Sequence, residues 1–208
     1  MNTRLGFFYF AVFSFVGIHM PFWPVWLKSR GIDAVGIAAL TALSFALKIV
    51  VTPWVSRRAD MTGRKREFIV WLSLGLLAGC GAFFWTQGFV QIFLLTTLAF
   101  SCWSPIMALA ESVTTVAAKA HRLDYGRIRL WGSVAFMLVA SGSGKLLERF
   151  GEGVLLWAIC AAAALLWLAA LLLPGRAPKA VVPVAKAAPD HRPSSRAAGS
   201  WPSCAPPC

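Results

Sequence analysis

Three ionisable residues lie inside long apolar stretches of this sequence, where burial would shape their chemistry: His19, Lys48 and Glu111. A histidine titrates near neutral pH, a carboxylate can carry a proton, and a lysine can balance the charge of an anion. Because an ionisable group in apolar surroundings is costly, it usually faces a cavity or a partner. We therefore take these residues as candidates for a solute or proton pathway, together with Trp103, an aromatic side chain near Glu111 in the sequence.

The composition indicates which solvent surrounds these stretches. Of the 208 residues, 58% are hydrophobic and 13% are charged, and the mean hydropathy is +0.69. A soluble domain carries about 25% charged residues, so lipid must cover much of this exterior. The ten Trp and fifteen Phe agree with that interpretation, because aromatic rings favour the boundary between lipid and water.

Six apolar runs are long enough to cross a bilayer as helices, which takes about 20 residues each. The sequence therefore predicts an all-α membrane protein with six transmembrane helices. They occupy the runs Leu5–Leu27, Val35–Val55, Phe68–Trp85, Val90–Ala110, Leu130–Leu147 and Val154–Leu173. We expect the fourth helix to continue toward Ala120, and Pro21, Pro24 and Pro105 to interrupt the first and fourth helices.

Polar residues divide the six runs in a repeating way. The third and sixth runs contain no ionisable residue apart from Cys, whereas the first, second and fifth carry His19, Lys48 and Lys145, and the fourth helix, continued past Ala110, carries Glu111. This division is typical of a 3+3 inverted repeat. The third helix of each group would then be outer scaffold, and the other four helices would line a cavity.

Each candidate residue also has a structural interpretation. Lys48 can extend its long side chain to the membrane boundary, a lone His among apolar residues is more often structural, and Trp103 is more often a packing or interfacial residue. Antiparallel second and fourth helices would bring Lys48 and Glu111 to similar depths. A buried pair of the two and a Glu111 that already reaches boundary water both fit the sequence.

The Lys and Arg residues in the short loops predict the orientation, because cytoplasmic loops carry the excess. One side holds ten and the other four. The ten are Arg4, Arg57, Arg58, Arg64, Lys65, Arg66, Lys119, Arg122, Arg127 and Arg129; the four are Lys28, Arg30, Lys145 and Arg149. Both termini are therefore predicted to be cytoplasmic. Residues 1–175 would form the transmembrane domain, and 176–208 a disordered, basic Pro/Ala-rich cytoplasmic tail.

Other classes of function lack support in the sequence. The net charge of +12 comes from short clusters between apolar runs and not from a basic stripe, so no nucleic-acid partner is expected. No G-x-S-x-G, no H-E-x-x-H and no paired intramembrane Asp occurs, which argues against an enzyme. The five Cys show no metal-ligand spacing, and we expect neither a metal nor a cofactor.

The segment after the second run, Ser56–Arg66, reads S-R-R-A-D-M-T-G-R-K-R. It resembles the cytoplasmic loop motif of the major facilitator superfamily, G-x-L-A-D-x-x-G-R-[RK]. Ser56 and Arg58 replace the usual Gly and Leu, and the matching residues are Asp60, Gly63, Arg64 and Lys65. The resemblance implies that this segment acts in gating between inward-open and outward-open states.

Two further segments, Pro21–Leu27 and Leu123–Phe136, resemble the 3-phenylpropionate transporter-like branch of that superfamily. The resemblance implies a small organic solute, such as an aromatic carboxylate, moved with protons across a bacterial inner membrane. In the second segment, Asp124, Arg127 and Arg129 would form a cytoplasmic charge cluster that matches the gating segment. Helix capping combined with topology is the alternative.

The superfamily fold has twelve helices, whereas the resemblance covers about residues 1–175 and six helices. One six-helix half supplies one wall of a solute site. Either the reading frame is truncated or frameshifted, an interpretation suggested by the Pro- and Arg-rich segment His191–Cys208, or a second six-helix half associates with the first. A six-helix interaction protein or inactive gene fragment, without transport activity, is the alternative to a transporter.

Overall fold

The computed structural model describes residues 2–121 and 124–173 and is helical throughout, with no strand in those ranges. Its helices are α1 (Asn2–Ser29), α2 (Ala34–Thr62), α3 (Lys65–Ala82), α4 (Phe89–His121), α5 (Tyr125–Phe150) and α6 (Gly153–Leu171), with a 3₁₀ turn at Phe83–Trp85. All six helices are long and apolar enough to cross a membrane. The predicted fold class is confirmed. The predicted tail, 176–208, lies outside the described residues.

Helices α2 and α5 begin and end in the same way. An Asp precedes each: the Asp33 carboxylate accepts a hydrogen bond from the Gly36 amide at 3.0 Å, and that of Asp124 accepts one from the Gly126 amide at 2.9 Å. A glycine with positive φ follows each helix, Gly63 at +67° and Gly151 at +75°. These caps satisfy backbone groups at the helix ends and make short turns to the next helix.

Prolines do not interrupt the helices, so that prediction was wrong. Helix α1 continues through Pro21 and Pro24, and α4 continues through Pro105. Neighbouring helices can accommodate the backbone groups that a proline leaves unpaired in a membrane bundle.

Helix α2 runs to Thr62, well past the predicted end at Val55. Hydropathy marks the depth at which a chain leaves the apolar zone, not the residue at which its helix ends. The first part of the segment Ser56–Arg66, including Asp60, is therefore helical.

Contacts between helices show the repeat directly. Helix α1 packs mainly on α5 and α6, and α4 packs in the same way on α2 and α3, while α3 and α6 contact each other. Exchanging α1 with α4, α2 with α5 and α3 with α6 reproduces this set of pairs. Because short turns reverse the chain after each helix, α4 runs opposite to α1, and the two triplets form the predicted 3+3 inverted repeat.

Small residues allow close contact inside this bundle. A Cβ atom added at Gly17 would lie 3.1 Å from the backbone oxygen of Phe136, and one at Gly132 would lie 2.6 Å from the ring of Phe13. Helices α1 and α5 therefore approach each other more closely than larger side chains would permit. The packed core includes Phe8, Phe15, Trp26, Phe83 and Leu166, all buried.

Helices α2 and α5 each leave a large apolar surface uncovered. On α2 the exposed side chains include Phe45, Ile49 and Trp54, and on α5 they include Leu130 and Met137. Soluble monomers rarely expose apolar patches as large as these two helix faces. Lipid, or another set of transmembrane helices, must cover them.

Candidate functional site

Glu111 is the acidic centre of a polar cluster between α4 and α5. Its Oε1 accepts a hydrogen bond from the Arg129 guanidinium at 2.7 Å, and its Oε2 accepts one from the Tyr125 hydroxyl. Arg129 also donates to the Tyr125 hydroxyl oxygen at 3.1 Å. The Glu111 side chain is 32% exposed and that of Arg129 is 52% exposed. The ion pair is therefore partly exposed at the surface of the bundle.

Two further hydroxyl groups, those of Tyr9 and Thr114, lie beside the Glu111 cluster. Tyr9 of α1 lies close enough to interact with Glu111, Tyr125 and Thr114. The hydroxyls of Tyr9 and Thr114 are both buried, and neither makes a hydrogen bond to another residue in the described part of the chain. These hydroxyls extend the polar surroundings of Glu111 toward α1.

Lys48 does not belong to this cluster. Its side chain is exposed on α2, beside the exposed Phe45 and Ile49, and it makes no ion pair with any described residue. The hypothesis of a buried Lys48–Glu111 pair was therefore wrong, because Glu111 turns toward α5 and pairs with Arg129.

His19 and Trp103 come together in a separate aromatic cluster. The His19 ring stacks on Phe15 and on Trp23, each with 5.4 Å between centroids, and meets the edge of Phe100 at 4.7 Å. Trp103 contacts Phe15 at 4.6 Å. His19 and Trp103 also line a small cavity of about 10 Å³. That space can hold about one water, so this cluster is packed and has no room for a larger ligand.

The two clusters lie at different depths. Tyr9 and His19 are ten residues apart on α1, which corresponds to about 15 Å along the helix axis. The candidates chosen from the sequence therefore fall into two groups, with Glu111 in one and His19 and Trp103 in the other, while Lys48 stands apart from both.

The segment Ser56–Arg66, which carries the family motif, forms a braced turn. Gly63 adopts the left-handed conformation and closes the turn with a backbone hydrogen bond to the Asp60 carbonyl. The Lys65 ammonium lies 2.6 Å from the Asp60 carboxylate and 2.6 Å from the Ser112 hydroxyl of α4. Arg64 makes an exposed pair with Glu67 at 3.5 Å. Lys65 therefore ties the α2–α3 turn to α4, one residue from Glu111.

The predicted charge cluster Asp124, Arg127 and Arg129 is divided among three roles. Asp124 caps α5 through the amides of Gly126 and Arg127 and forms no ion pair within the described ranges. Arg129 pairs with Glu111, and Arg127 is exposed on another side of α5. For Asp124 the capping alternative is the one that the geometry supports.

Sequence reasoning missed Tyr125, Tyr9 and Ser112 as members of these sites. One signal was available for Tyr125: residues four apart share one face of a helix, so Tyr125 and Arg129 must point the same way. The partners on α1 and α4 have no comparable local signal. Across the described residues, no group of three or more His, Cys, Asp or Glu is placed to hold a metal ion.

Comparisons with known proteins agree with this architecture. The model of the MFS_1 like family matches residues 2–195. The chain is 32% identical over 157 residues to the "Probable 3-phenylpropionic acid transporter" of Escherichia coli (strain K12), a match that covers 74% of this chain and 41% of the relative. It is 28% identical over 159 residues to the "Maltose permease" of Geobacillus stearothermophilus, covering 76% and 40%.

The chain thus spans about two fifths of the length of the curated relatives that it matches. The region matched by the family model, residues 2–195, contains the braced turn, the Glu111 cluster and the six helices of the inverted repeat. This chain belongs to the MFS_1 like family of the major facilitator superfamily.

Proposed function

We propose that this chain forms one wall of a proton-coupled transporter for a small organic anion, and that the Glu111–Arg129 pair is its working site. One observation carries the proposal: a half-exposed ion pair joins α4 to α5 in a bundle whose other interhelical contacts are mainly apolar. A pair that both protons and solute can reach is suited to bind a proton at Glu111 and the solute at Arg129.

The proposed cycle follows from the charges. When Glu111 takes up a proton, its carboxylate becomes neutral and its attraction for Arg129 is lost. The freed guanidinium then binds the solute carboxylate through charged hydrogen bonds. When Glu111 gives up the proton on the other side, it competes for Arg129 again and the solute is released. One proton therefore moves with each solute molecule.

An aromatic carboxylate is the solute class that we propose first. A relative at 32% identity is described as a probable 3-phenylpropionic acid transporter, and an Arg that exchanges carboxylate partners suits an acid better than a neutral sugar. His19 and Trp103 would act in this scheme as packing that supports α1 and α4, since their cluster has no space for a solute.

The braced turn is proposed as the gating element. Lys65 bonds to Asp60 on α2 and to Ser112 on α4, and Ser112 is the neighbour of Glu111. Because Glu111 and Ser112 are consecutive residues of α4, a movement of the Glu111–Arg129 pair can alter the contact between Ser112 and Lys65 at the turn. Breaking and remaking the Lys65 contacts would accompany the change between inward-open and outward-open states.

A second six-helix half is proposed to complete the solute cavity. The uncovered apolar faces of α2 and α5 are the surfaces that it would cover. We also propose a location in the bacterial inner membrane, with the Gly63 turn and both termini in the cytoplasm. The ten-to-four distribution of Lys and Arg supports this orientation.

Uptake in proteoliposomes tests the proposed site. With radiolabelled 3-phenylpropionate and an inward proton gradient, Glu111→Gln should lose gradient-driven uptake at least about tenfold, yet keep exchange of internal for external solute, because Gln mimics the protonated acid. Arg129→Gln should lose both activities. Glu148→Gln changes an exposed acid of α5 that lies outside the Glu111 cluster; it is the control and should behave as wild type.

Two results would contradict the proposal. Full gradient-driven uptake by Glu111→Gln would exclude this residue as the proton carrier. No uptake or exchange by the wild-type chain, with either 3-phenylpropionate or maltose, would favour the non-transporting six-helix interaction protein. A count of copies per nanodisc by native mass spectrometry, made on the same preparation, shows whether a second half was present.

A further inference from the structure

A groove runs along one side of the contact between α1 and α5, away from the residues of the proposed solute site. It has a volume of about 610 Å³ and lies at the end where α1 starts and α5 starts. Its walls include Thr3, Gly6, Phe7 and Phe10 from α1, with Arg127 and Trp131 from α5. None of these residues takes part in the Glu111 cluster.

Arg127 supplies the positive charge of this groove. It is exposed and has no carboxylate within 4.0 Å among the residues that the structure describes. Arg129, two residues later, is paired with Glu111. Residues two apart on a helix differ by a rotation of about 200° around the helix axis and so point in nearly opposite directions. Arg127 therefore faces away from α4 and from the proposed solute path.

The groove changes from polar to apolar along the helix axes. Thr3 and Arg127 lie in the first turns of α1 and α5, whereas Phe7, Phe10 and Trp131 lie one to two turns deeper. The Trp131 indole is 57% exposed. It packs over Gly6 of α1, where an added Cβ would lie 3.5 Å from the ring, in ordinary van der Waals contact. The groove thus offers a cation at its mouth and an apolar floor below.

We propose that this groove binds an anionic phospholipid, with the headgroup phosphate on Arg127 and an acyl chain along Phe7, Phe10 and Trp131. A basic pocket between transmembrane helices is suited to an anionic headgroup, and Trp favours the depth where headgroup meets acyl chain. A free anion would use the cation but not the aromatic floor. The bound lipid would tie α5 to α1 at the end where α5 presents Arg129.

Native mass spectrometry tests this site. The full chain is released from nanodiscs made of equal parts phosphatidylglycerol and phosphatidylcholine, and the retained lipids are identified. Wild type should retain one phosphatidylglycerol in preference to phosphatidylcholine. Arg127→Gln should lower that preference about fivefold, the effect expected from about 1 kcal/mol per cation. Arg57→Gln, an exposed arginine at the same end of the bundle, should change it less than about twofold.

A second measurement locates the acyl chain. Phosphatidylglycerol with brominated acyl chains should quench Trp131 fluorescence, taken as the difference between wild type and Trp131→Phe, and Arg127→Gln should reduce that quenching. Equal lipid preference in wild type and Arg127→Gln would overturn the proposal. So would displacement of the lipid by inorganic phosphate alone, which indicates a simple anion site, or a dimer that covers the groove and excludes lipid.

Discussion

The turns after α2 and after α5 occupy equivalent places in the two repeats but differ in their side-chain contacts. Each follows a helix capped by Asp and closed by a glycine with positive φ. At the α2–α3 turn, Lys65 reaches α4 and Arg66 donates to the Leu171 carbonyl of α6 at 2.7 Å. The α5–α6 turn holds no ion pair in the structure as described.

The difference shows how a repeated backbone can acquire two roles. Caps and turns depend on local residues and are shared by both repeats. The contacts that reach across to α4 and α6 depend on which residues lie beside the turn, and among the described residues they occur at the first turn and not at the second. The α2–α3 turn is therefore joined by side chains to α4 and α6, whereas the α5–α6 turn is closed by local backbone hydrogen bonds such as that from the Gly151 amide to the Leu147 carbonyl.

The largest effect on stability should come from Gly151, and a smaller one from the equivalent turn glycine, Gly63. Gly151→Ala should cost about 2–3 kcal/mol of unfolding free energy, because φ of +75° with ψ of −174° is a conformation that only glycine adopts readily. Gly63→Ala should cost about 1 kcal/mol, because its φ of +67° and ψ of 9° are left-handed helical. SDS-induced unfolding in lipid–detergent micelles, followed by Trp fluorescence, measures both.

Steric conflict is not the cause at either position, since no atom would lie within 4 Å of an added Cβ. Gly88, which also has open space but no positive φ, provides the control, and Gly88→Ala should leave stability unchanged. Gly63→Asn should lower the free energy of unfolding less than Gly63→Ala does, because Asn adopts the left-handed region more readily than Ala. Equal losses at Gly63 and Gly151 would show that the two turns are conformationally alike.

The brace at the α2–α3 turn should give the next effect. Lys65→Met keeps the aliphatic stem but removes the bonds to Asp60 and Ser112, so the expected loss of unfolding free energy is about 1–2 kcal/mol. Lys145→Met removes an exposed lysine without an ion pair among the described residues and should have no measurable effect. The same unfolding titration compares them. If Lys65→Met left the free energy of unfolding unchanged, the first turn would be no more braced than the second.

Removal of a helix cap should have the smallest effect on stability, and the effect should be the same in both repeats. Asp33→Ala and Asp124→Ala are each expected to cost about 1 kcal/mol, whereas Asp33→Asn and Asp124→Asn should stay near wild type, because Asn caps as well as Asp does. Thermal unfolding in detergent measures the four variants. If Asp124→Asn proved as costly as Asp124→Ala, the negative charge and not the cap would be the role of Asp124.

Much of the fold could be predicted from the sequence because hydropathy and capping are local properties. Six runs of about 20 apolar residues specify six spans in a bilayer, and the uneven placement of ionisable residues indicated the division into α1–α3 and α4–α6. The prediction erred at Pro21, Pro24 and Pro105 because a proline's cost depends on what surrounds the helix. It ended α2 too early because hydropathy reports depth in the membrane.

By itself, then, the sequence determined the number of helices, the family motif at Asp60 to Lys65 and the list of costly polar residues. Only the tertiary structure decided which of those residues meet. Glu111 pairs with Arg129 and not with Lys48, and Lys65 finds Ser112, which is 47 residues away in the chain. Such contacts depend on how each helix is rotated against its neighbours, and that rotation is set by packing at positions such as Gly17 and Gly132, far along the chain from the residues that it brings together.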